Sequence, residues 1–254
     1  MKKIAIVTGA SSGMGKEFVL QLDQLAHHVE EIWVIARRTG KLFELDQQTE
    51  HKIVVCPADL TKESDMRTFE NLLKKEAPVI SILVNAAGYG VHGSVADSEP
   101  GTTLGMIDVN CRALTFMTKL CLPYMAKGGR IINMASSAAF VPQPKFAVYA
   151  ASKSYVLSFS RALHTELENR KISVTAVCPG PVDTEFFKHD DCDINQTFYK
   201  RMVMAKPEAV VKQALSDANS RRTVSVYGSS IKGLRILAKI VPHKWILGIM
   251  KWIL

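Results

Sequence analysis

Short β-rich runs alternate along this chain with longer stretches in which apolar residues recur at helical spacing. The runs at 4–8, 32–36, 52–56, 80–85, 130–134, 173–178 and 223–226 are mostly apolar on both faces. Strands covered on both sides, as in a parallel sheet, have that pattern. Helices are predicted over 13–28 after a Ser/Gly turn, over 62–76 after a Thr61 cap, over 102–126 and over 146–170. In the third of these, Leu104, Ile107, Cys111, Leu114, Met117 and Cys121 fall in one helical period. Strand–helix alternation implies right-handed crossovers and an α/β fold: a doubly wound parallel sheet of about seven strands. No internal repeat, low-complexity stretch or linker interrupts it, so a single domain over residues 1–254 is expected.

Composition agrees with a globular domain: 47% of the 254 residues are hydrophobic and 22% charged. The net charge of +8 suits a nucleic acid, an anionic membrane or an anionic cofactor. No run of five or six basic residues occurs, so for most of the chain the reading is a scattered basic surface and no nucleic-acid partner. Cys56, Cys111, Cys121, Cys178 and Cys192 are odd in number and lack CxxC spacing, which predicts free thiols in a reducing compartment. The histidines lack HxxxH and HExxH spacing, so no metal site is expected. The apolar run after the N-terminal lysines is too short for a signal-peptide core, and no run is long enough to span a membrane. A cytoplasmic location follows as an expectation.

Sheets of this kind bind ligands beyond the carboxyl ends of their strands. After the first strand stand Thr8, Gly9, Ala10, Ser11, Ser12, Gly13, Met14 and Gly15. Gly9 suits a tight turn, Gly13 a close approach of backbone to pyrophosphate, and Gly15 close helix packing. The helix that follows offers free N–H groups and a positive dipole end to phosphates. The second strand ends at Arg37 and Arg38, with no acid to hold a ribose 2′-hydroxyl. Two arginines there predict NADP(H) over NAD(H), the alternative being two solvated surface side chains.

Further along stand Asp59-Leu60, Asn85-Ala86-Ala87-Gly88, Asn110, Ser136, Tyr149 with Lys153, and Pro179-Gly180-Pro181-Val182. With these in order after the glycine turn, the sequence resembles the short-chain dehydrogenase/reductase family, from Lys3 to about Thr184 and more loosely through Tyr227. TGASSGMG matches the family's TGxxxGxG turn, and Asp59-Leu60 its adenine-contacting site. Asn85-Ala86-Ala87-Gly88 matches NNAG, with Ala86 in place of the second asparagine. Asn110 falls in the fourth helix, Ser136 after the fifth strand, and Tyr149 with Lys153 forms YxxxK. Pro179-Gly180-Pro181-Val182 and Thr184 match the PG motif beside the nicotinamide. Met14 stands for the usual isoleucine, a volume-conserving change.

The resemblance implies a Rossmann-type reductase with catalytic Asn110, Ser136, Tyr149 and Lys153. Tyr149 and Lys153 are i and i+4, on one helix face. An ammonium favours the phenolate, bringing an acid of pKa near ~10 toward neutral pH, where general acid–base catalysis is efficient. By family resemblance Tyr149 exchanges a proton with the carbonyl oxygen, Ser136 positions that oxygen, Lys153 also holds the nicotinamide ribose, and Asn110 holds a relay water. Ser137 competes with Ser136, though the offset to Tyr149 matches the family better from Ser136. A non-catalytic NADP(H)-binding sensor or scaffold on the same fold is the alternative reading.

In this family the region after the PG motif selects the substrate. Here 185–206 carries Phe186, Phe187, Phe198, Tyr199, Met202 and Met204, an apolar pocket wall or else core packing, with Asp190, Asp191 and Asp193 in an exposed loop. A hydrophobic substrate is expected: a steroid, a bile-acid-like alcohol or an acyl ketone. Residues 231–254 form two basic amphipathic stretches split by Pro242. Packing on a partner subunit or covering the cleft is the first expectation, and peripheral membrane contact the second. The family's habit implies a homo-oligomer, a dimer or tetramer.

Overall fold

The computed structural model describes residues 1–185 and 204–253; within the last helix it describes side chains through Gly248 and that of Lys251. The substrate-side residues Phe186, Phe187, Asp190, Asp191, Asp193, Phe198, Tyr199 and Met202 therefore lie outside the described residues.

Side chains that alternate in direction along strands buried at nearly every position build two cores, one on each face of a single sheet. In β1 (Lys3–Thr8), Ala5 and Val7 face α1 (Gly13–Leu25), where Phe18, Val19 and Leu22 close over them. Ile4 and Ile6 point the other way, toward Met66, Phe69 and Leu73 of α3 (Glu63–Glu76). In β2 (Glu31–Ala36), Ile32 and Val34 join the first core and Trp33 and Ile35 the second. A strand apolar at consecutive positions thus feeds both layers, as the sequence pattern requires.

β3 (Lys52–Pro57), β4 (Val79–Asn85), β5 (Met125–Met134), β6 (Ser173–Val177) and β7 (Val224–Ser225) complete a seven-stranded sheet in the order β3-β2-β1-β4-β5-β6-β7, all parallel. The fold is Rossmann-type, and strand order reverses beside β1, where such sheets open a ligand crevice.

Several expected boundaries shift. The helix expected over 102–126 is instead α4 (Pro100–Ile107), a π-helical turn (Asp108–Ala113), α5 (Leu114–Cys121) and a 3₁₀ turn (Leu122–Tyr124). Pro123 lacks the N–H that would continue the helix, and β5 begins at Met125, pairing with Ile80 ahead of a register shift. Two helices went unanticipated. α2 (Thr39–Asp46) buries only Leu42 and Leu45, too little periodicity to read. Sequence patterning also passed over the buried face of α7 (Pro207–Asn219), made by Val210, Val211, Ala214 and Ala218.

Thr61 does not cap α3: its hydroxyl donates to Asp59 Oδ1 at 2.7 Å, and Lys62 occupies the N-cap. Helix α6 (Ala147–Glu166) crosses the second face. After β7 come α8 (Ser229–Ile240) and α9 (His243–Ile253), with Pro242 between them as expected.

Candidate active site

The glycine turn after β1 is held by sterics that leave no room for side chains. Gly9 has φ +69°, and a Cβ there would lie 2.7 Å from Ala87 N. A Cβ on Gly15 would lie 2.2 Å from the Gly9 carbonyl oxygen, so the start of α1 sits directly on the turn. The Thr8 hydroxyl accepts hydrogen bonds from the Ala86 and Ala87 N–H groups at 3.1 and 3.2 Å, clipping the glycine turn to the loop after β4. Ser12 makes no side-chain cap on α1, and no acid occupies the first turn, so the helix's free N–H groups face outward beside half-buried Ser11, Ser12 and Gly13. The Met14 side chain instead packs on the first core, as does Ala86.

Arg38, at the end of β2, reaches over this turn. Its guanidinium donates to Ser11 Oγ at 3.1 and 3.2 Å and to Ser12 Oγ, and pairs with Glu185 at 3.0 Å. Arg37 is exposed. Burial pulls the Asp59 carboxyl upward, but hydrogen bonds from the Thr61 hydroxyl and N–H, with the Arg37 charge, outweigh it and hold the group below its usual range. Asp59 and Leu60 are half-buried at the end of β3.

The carboxyl end of β4 divides into two roles. The Asn85 side chain turns into the sheet, donating to Thr118 Oγ1 at 3.0 Å and Asn133 Oδ1 at 2.9 Å, so it braces β4 against α5 and β5. Gly88 sits where a Cβ would come within 2.8 Å of Asn110 Oδ1 and 3.2 Å of Lys153 Nζ. Asn110 is fully buried in the π-helical turn. Its amide donates to the Tyr89 carbonyl at 2.9 Å and to Ser152 Oγ at 3.0 Å, and its oxygen accepts from Tyr89 N–H at 3.1 Å. Ser152 in turn donates to the Tyr149 carbonyl at 2.7 Å. A π-turn rotates one residue out of α-helical register, a device frequent at functional sites, and here it aims Asn110 at α6.

Lys153 and Tyr149 face these groups from α6. Lys153 is 4% exposed, its Nζ donates to the Met134 carbonyl at 2.8 Å, and it stands 5.6 Å from the Tyr149 ring centroid. Burial pushes the ammonium down to about 8. The Tyr149 ring stacks on Phe146 at 4.3 Å, and Phe146 on His92 at 3.7 Å. Met106, Ala138 and Ala150 complete an apolar surround. Half-buried Ser136 caps the 3₁₀ turn Ser137–Phe140, its hydroxyl accepting from Ala138 N–H at 3.1 Å, while Ser137 N–H donates to the Pro179 carbonyl at 2.8 Å. Beyond β6, Gly180 lies against Ile231, Val182 is buried, and Thr184 folds back over Gly13, whose Cβ would meet its own Cβ at 3.3 Å.

The singled-out motifs therefore converge at the carboxyl ends of β1 to β6. Sequence reasoning gave Thr8 no role of its own and missed Ser152, Phe146, Glu185 and the Met134 carbonyl. Thr8 carried a signal, as the polar end of a run otherwise apolar from Ile4; the others depend on tertiary contact. The four described cysteines are free, and among the described residues no group of side chains could hold a metal.

A parallel sheet with a glycine turn and uncapped helix at its switch point defines a dinucleotide-binding α/β protein. A family model described as short chain dehydrogenase matches residues 3–195. An uncharacterised oxidoreductase of Staphylococcus epidermidis is 33% identical over 192 residues, covering 75% of this chain and 82% of its own length. A short-chain dehydrogenase from Sphingobium yanoikuyae, solved in complex with NADPH, superposes with TM-score 0.78 at 25% identity, over 95% of this chain and 97% of that one. A short-chain dehydrogenase/reductase from Burkholderia phymatum, solved with NAD, shares the fold with TM-score 0.80 at 19% identity, over 93% and 92% of the two chains. The chain belongs to the short-chain dehydrogenase family of oxidoreductases.

Proposed function

We propose that this protein reduces the carbonyl of an apolar small molecule, or oxidises the corresponding secondary alcohol, with NADP(H) as cofactor. The observation that carries the reading is the buried Lys153 ammonium 5.6 Å from the Tyr149 ring, at the carboxyl end of a sheet whose switch point bears the glycine turn.

The residues present fit a dinucleotide. The uncapped start of α1, with Gly9, Ser11, Ser12, Gly13, Met14 and Gly15, suits a pyrophosphate that accepts from backbone N–H groups. Arg38, already spanning Ser11 and Ser12, suits a 2′-phosphate, and Arg37 adds positive charge beside it. Asp59 and Leu60 suit the adenine; the backbone at Asn85, Ala86 and Gly88, with Lys153, the ribose; Pro179, Gly180, Val182 and Thr184, the nicotinamide end. When bound, the nicotinamide supplies or accepts the hydride.

The chain's own groups handle the proton. Tyr149 gives its phenolic proton to the developing alkoxide during reduction and takes it back during oxidation. A positive charge on Lys153 favours the phenolate that remains. Ser136 donates a hydrogen bond to the same substrate oxygen, stabilising charge as it develops. Asn110, clamped to Tyr89 and Ser152, holds the α4–α5 bend against α6 and keeps Lys153 and Tyr149 in register. The aromatic and aliphatic surround of Tyr149 favours an apolar substrate such as a steroid, bile-acid-like or acyl ketone. A homo-oligomer fits the exposed apolar Leu104, Ile107, Phe116 and Tyr155 on the α4–α6 face, and a reducing cytoplasmic setting fits the free cysteines.

Tyr149→Phe tests the assignment. NADPH oxidation with a panel of ketones should fall at least about a thousandfold, the upper range for loss of a general acid, while NADPH binding by fluorescence stays near wild type. Near-normal turnover in this variant would remove the proposed role.

A further inference from the structure

The positive charge of this chain gathers at one end. Asp217 is its last acidic residue, and the segment beyond it carries Arg221, Arg222, Lys232, Arg235, Lys239, Lys244 and Lys251. Helix α8 is amphipathic in the unusual sense. Ile231 turns inward, 5% exposed, and packs with Val224, Val226 and Cys178. On the opposite side Ile236, Leu237 and Ile240 are 59%, 52% and 74% exposed. At about 100° per residue these three lie within one arc, with Gly233 among them. A Cβ on Gly233 would meet nothing within 4 Å, so this face is open. Exposed Lys232 and Lys239 line one edge of it. After Pro242, α9 adds Trp245, 69% exposed, beside exposed Lys244 and Lys251. A surface helix ordinarily turns its polar face to water; α8 turns isoleucine and leucine outward with lysines along the margin.

We propose that α8 and α9 dock on an anionic lipid surface, the outward isoleucines, leucine and tryptophan entering the headgroup region and the lysines meeting lipid phosphates. Charge decides between occupants. A second copy presenting this same face would set like charges against like across a two-fold contact, with no acid in either segment to compensate. An anionic bilayer offers the complement to both features. Lysines near such a surface bind it, and a tryptophan suits the interface. Among the described residues no helix is long and apolar enough to cross a membrane, so the contact is peripheral. The inner face of α8 packs on the 3₁₀ turn that follows Ser136. Docking therefore sets that turn about one helix diameter, ~10 Å, from the headgroups.

Vesicle flotation of the full chain tests this, with phosphatidylcholine alone and with phosphatidylcholine containing a minority of phosphatidylglycerol. The protein should float with the anionic vesicles and not with the neutral ones. It should be released near 1 M salt, where the Debye length falls to about 3 Å. Each lysine neutralised should weaken partitioning about fivefold, so Lys232→Glu with Lys239→Glu should weaken it at least about 25-fold. Ile236→Ser with Ile240→Ser should also abolish flotation, at unchanged thermal midpoint because both side chains are exposed. No flotation of the wild type with either vesicle overturns the proposal, as does equal flotation with both that ignores the charge reversal. A third overturning result is an oligomer, without lipid, that dissociates on size exclusion when Ile236 and Ile240 become serine; a second copy then covers this face.

Discussion

Replacing Lys153 by methionine should change how the stability of the fold depends on pH. Lys153 is buried, with its ammonium bound to the Met134 carbonyl, and desolvation takes its pKa from an ordinary 10.5 to about 8. The Cys111 and Cys178 thiols oppose that drop only if ionised. Burial raises both, Cys178 to about 12, so they are neutral near pH 8 and the desolvation cost stands. At 1.36 kcal/mol per pKa unit, keeping the charge inside costs about 3 kcal/mol. Between pH 8 and 10.5 the folded protein has released this proton and the unfolded chain still binds it, so stability rises with pH there. Below pH 8 the cost is present in full; above 10.5 it is gone. Methionine carries no such proton, but it leaves the Met134 carbonyl unpaired, at roughly 1–3 kcal/mol at every pH. The two terms nearly cancel at pH 7, so the variant should unfold there at similar urea concentration. The wild type should then gain roughly 2–3 kcal/mol on the variant between pH 7 and pH 10. Urea titrations of the cofactor-free proteins, followed by circular dichroism at both pH values, measure the difference. Parallel behaviour of the two proteins would refute the buried-ammonium argument.

Gly15→Ala should weaken NADPH binding at least about tenfold and lower stability by roughly 1–3 kcal/mol, because the new methyl would meet the Gly9 carbonyl at 2.2 Å; fluorescence titration and thermal melting report the two effects. Arg38→Ala should raise the KM for NADPH about tenfold or more, the worth of a charged hydrogen bond, and leave the KM for NADH nearly unchanged; an equal change with both cofactors would count against a 2′-phosphate contact.

Much of this protein was legible as pattern. Strands apolar at consecutive positions announced a sheet covered on both faces, because no half-exposed strand tolerates such a run. Asn110 and Ser136 were named through the family resemblance, whereas Gly9 to Gly15 and the Tyr149–Lys153 pair could be read because turn sterics and i, i+4 spacing are local properties. Pro242 marked the break between α8 and α9 for the same reason. The break of 102–126 into a π-turn was not legible, since a single α-helical period fits that stretch equally well. The role of Asn85 also shifted: as a motif member it suggested a cofactor contact, and packing turned its amide toward Thr118 and Asn133.

Local order carries chain geometry: which residues alternate, which turn needs glycine, which side chains share a helix face. Partners distant along the chain enter only when the strands assemble. The desolvation of Lys153 comes from α6 lying over β5 at the Met134 carbonyl, and the Arg38–Glu185 pair joins residues 147 positions apart. The outward face of α8 is set the same way. Two apolar sides compete for the core, and Ile231, fitting against Gly180, takes the place that leaves Ile236, Leu237 and Ile240 in solvent.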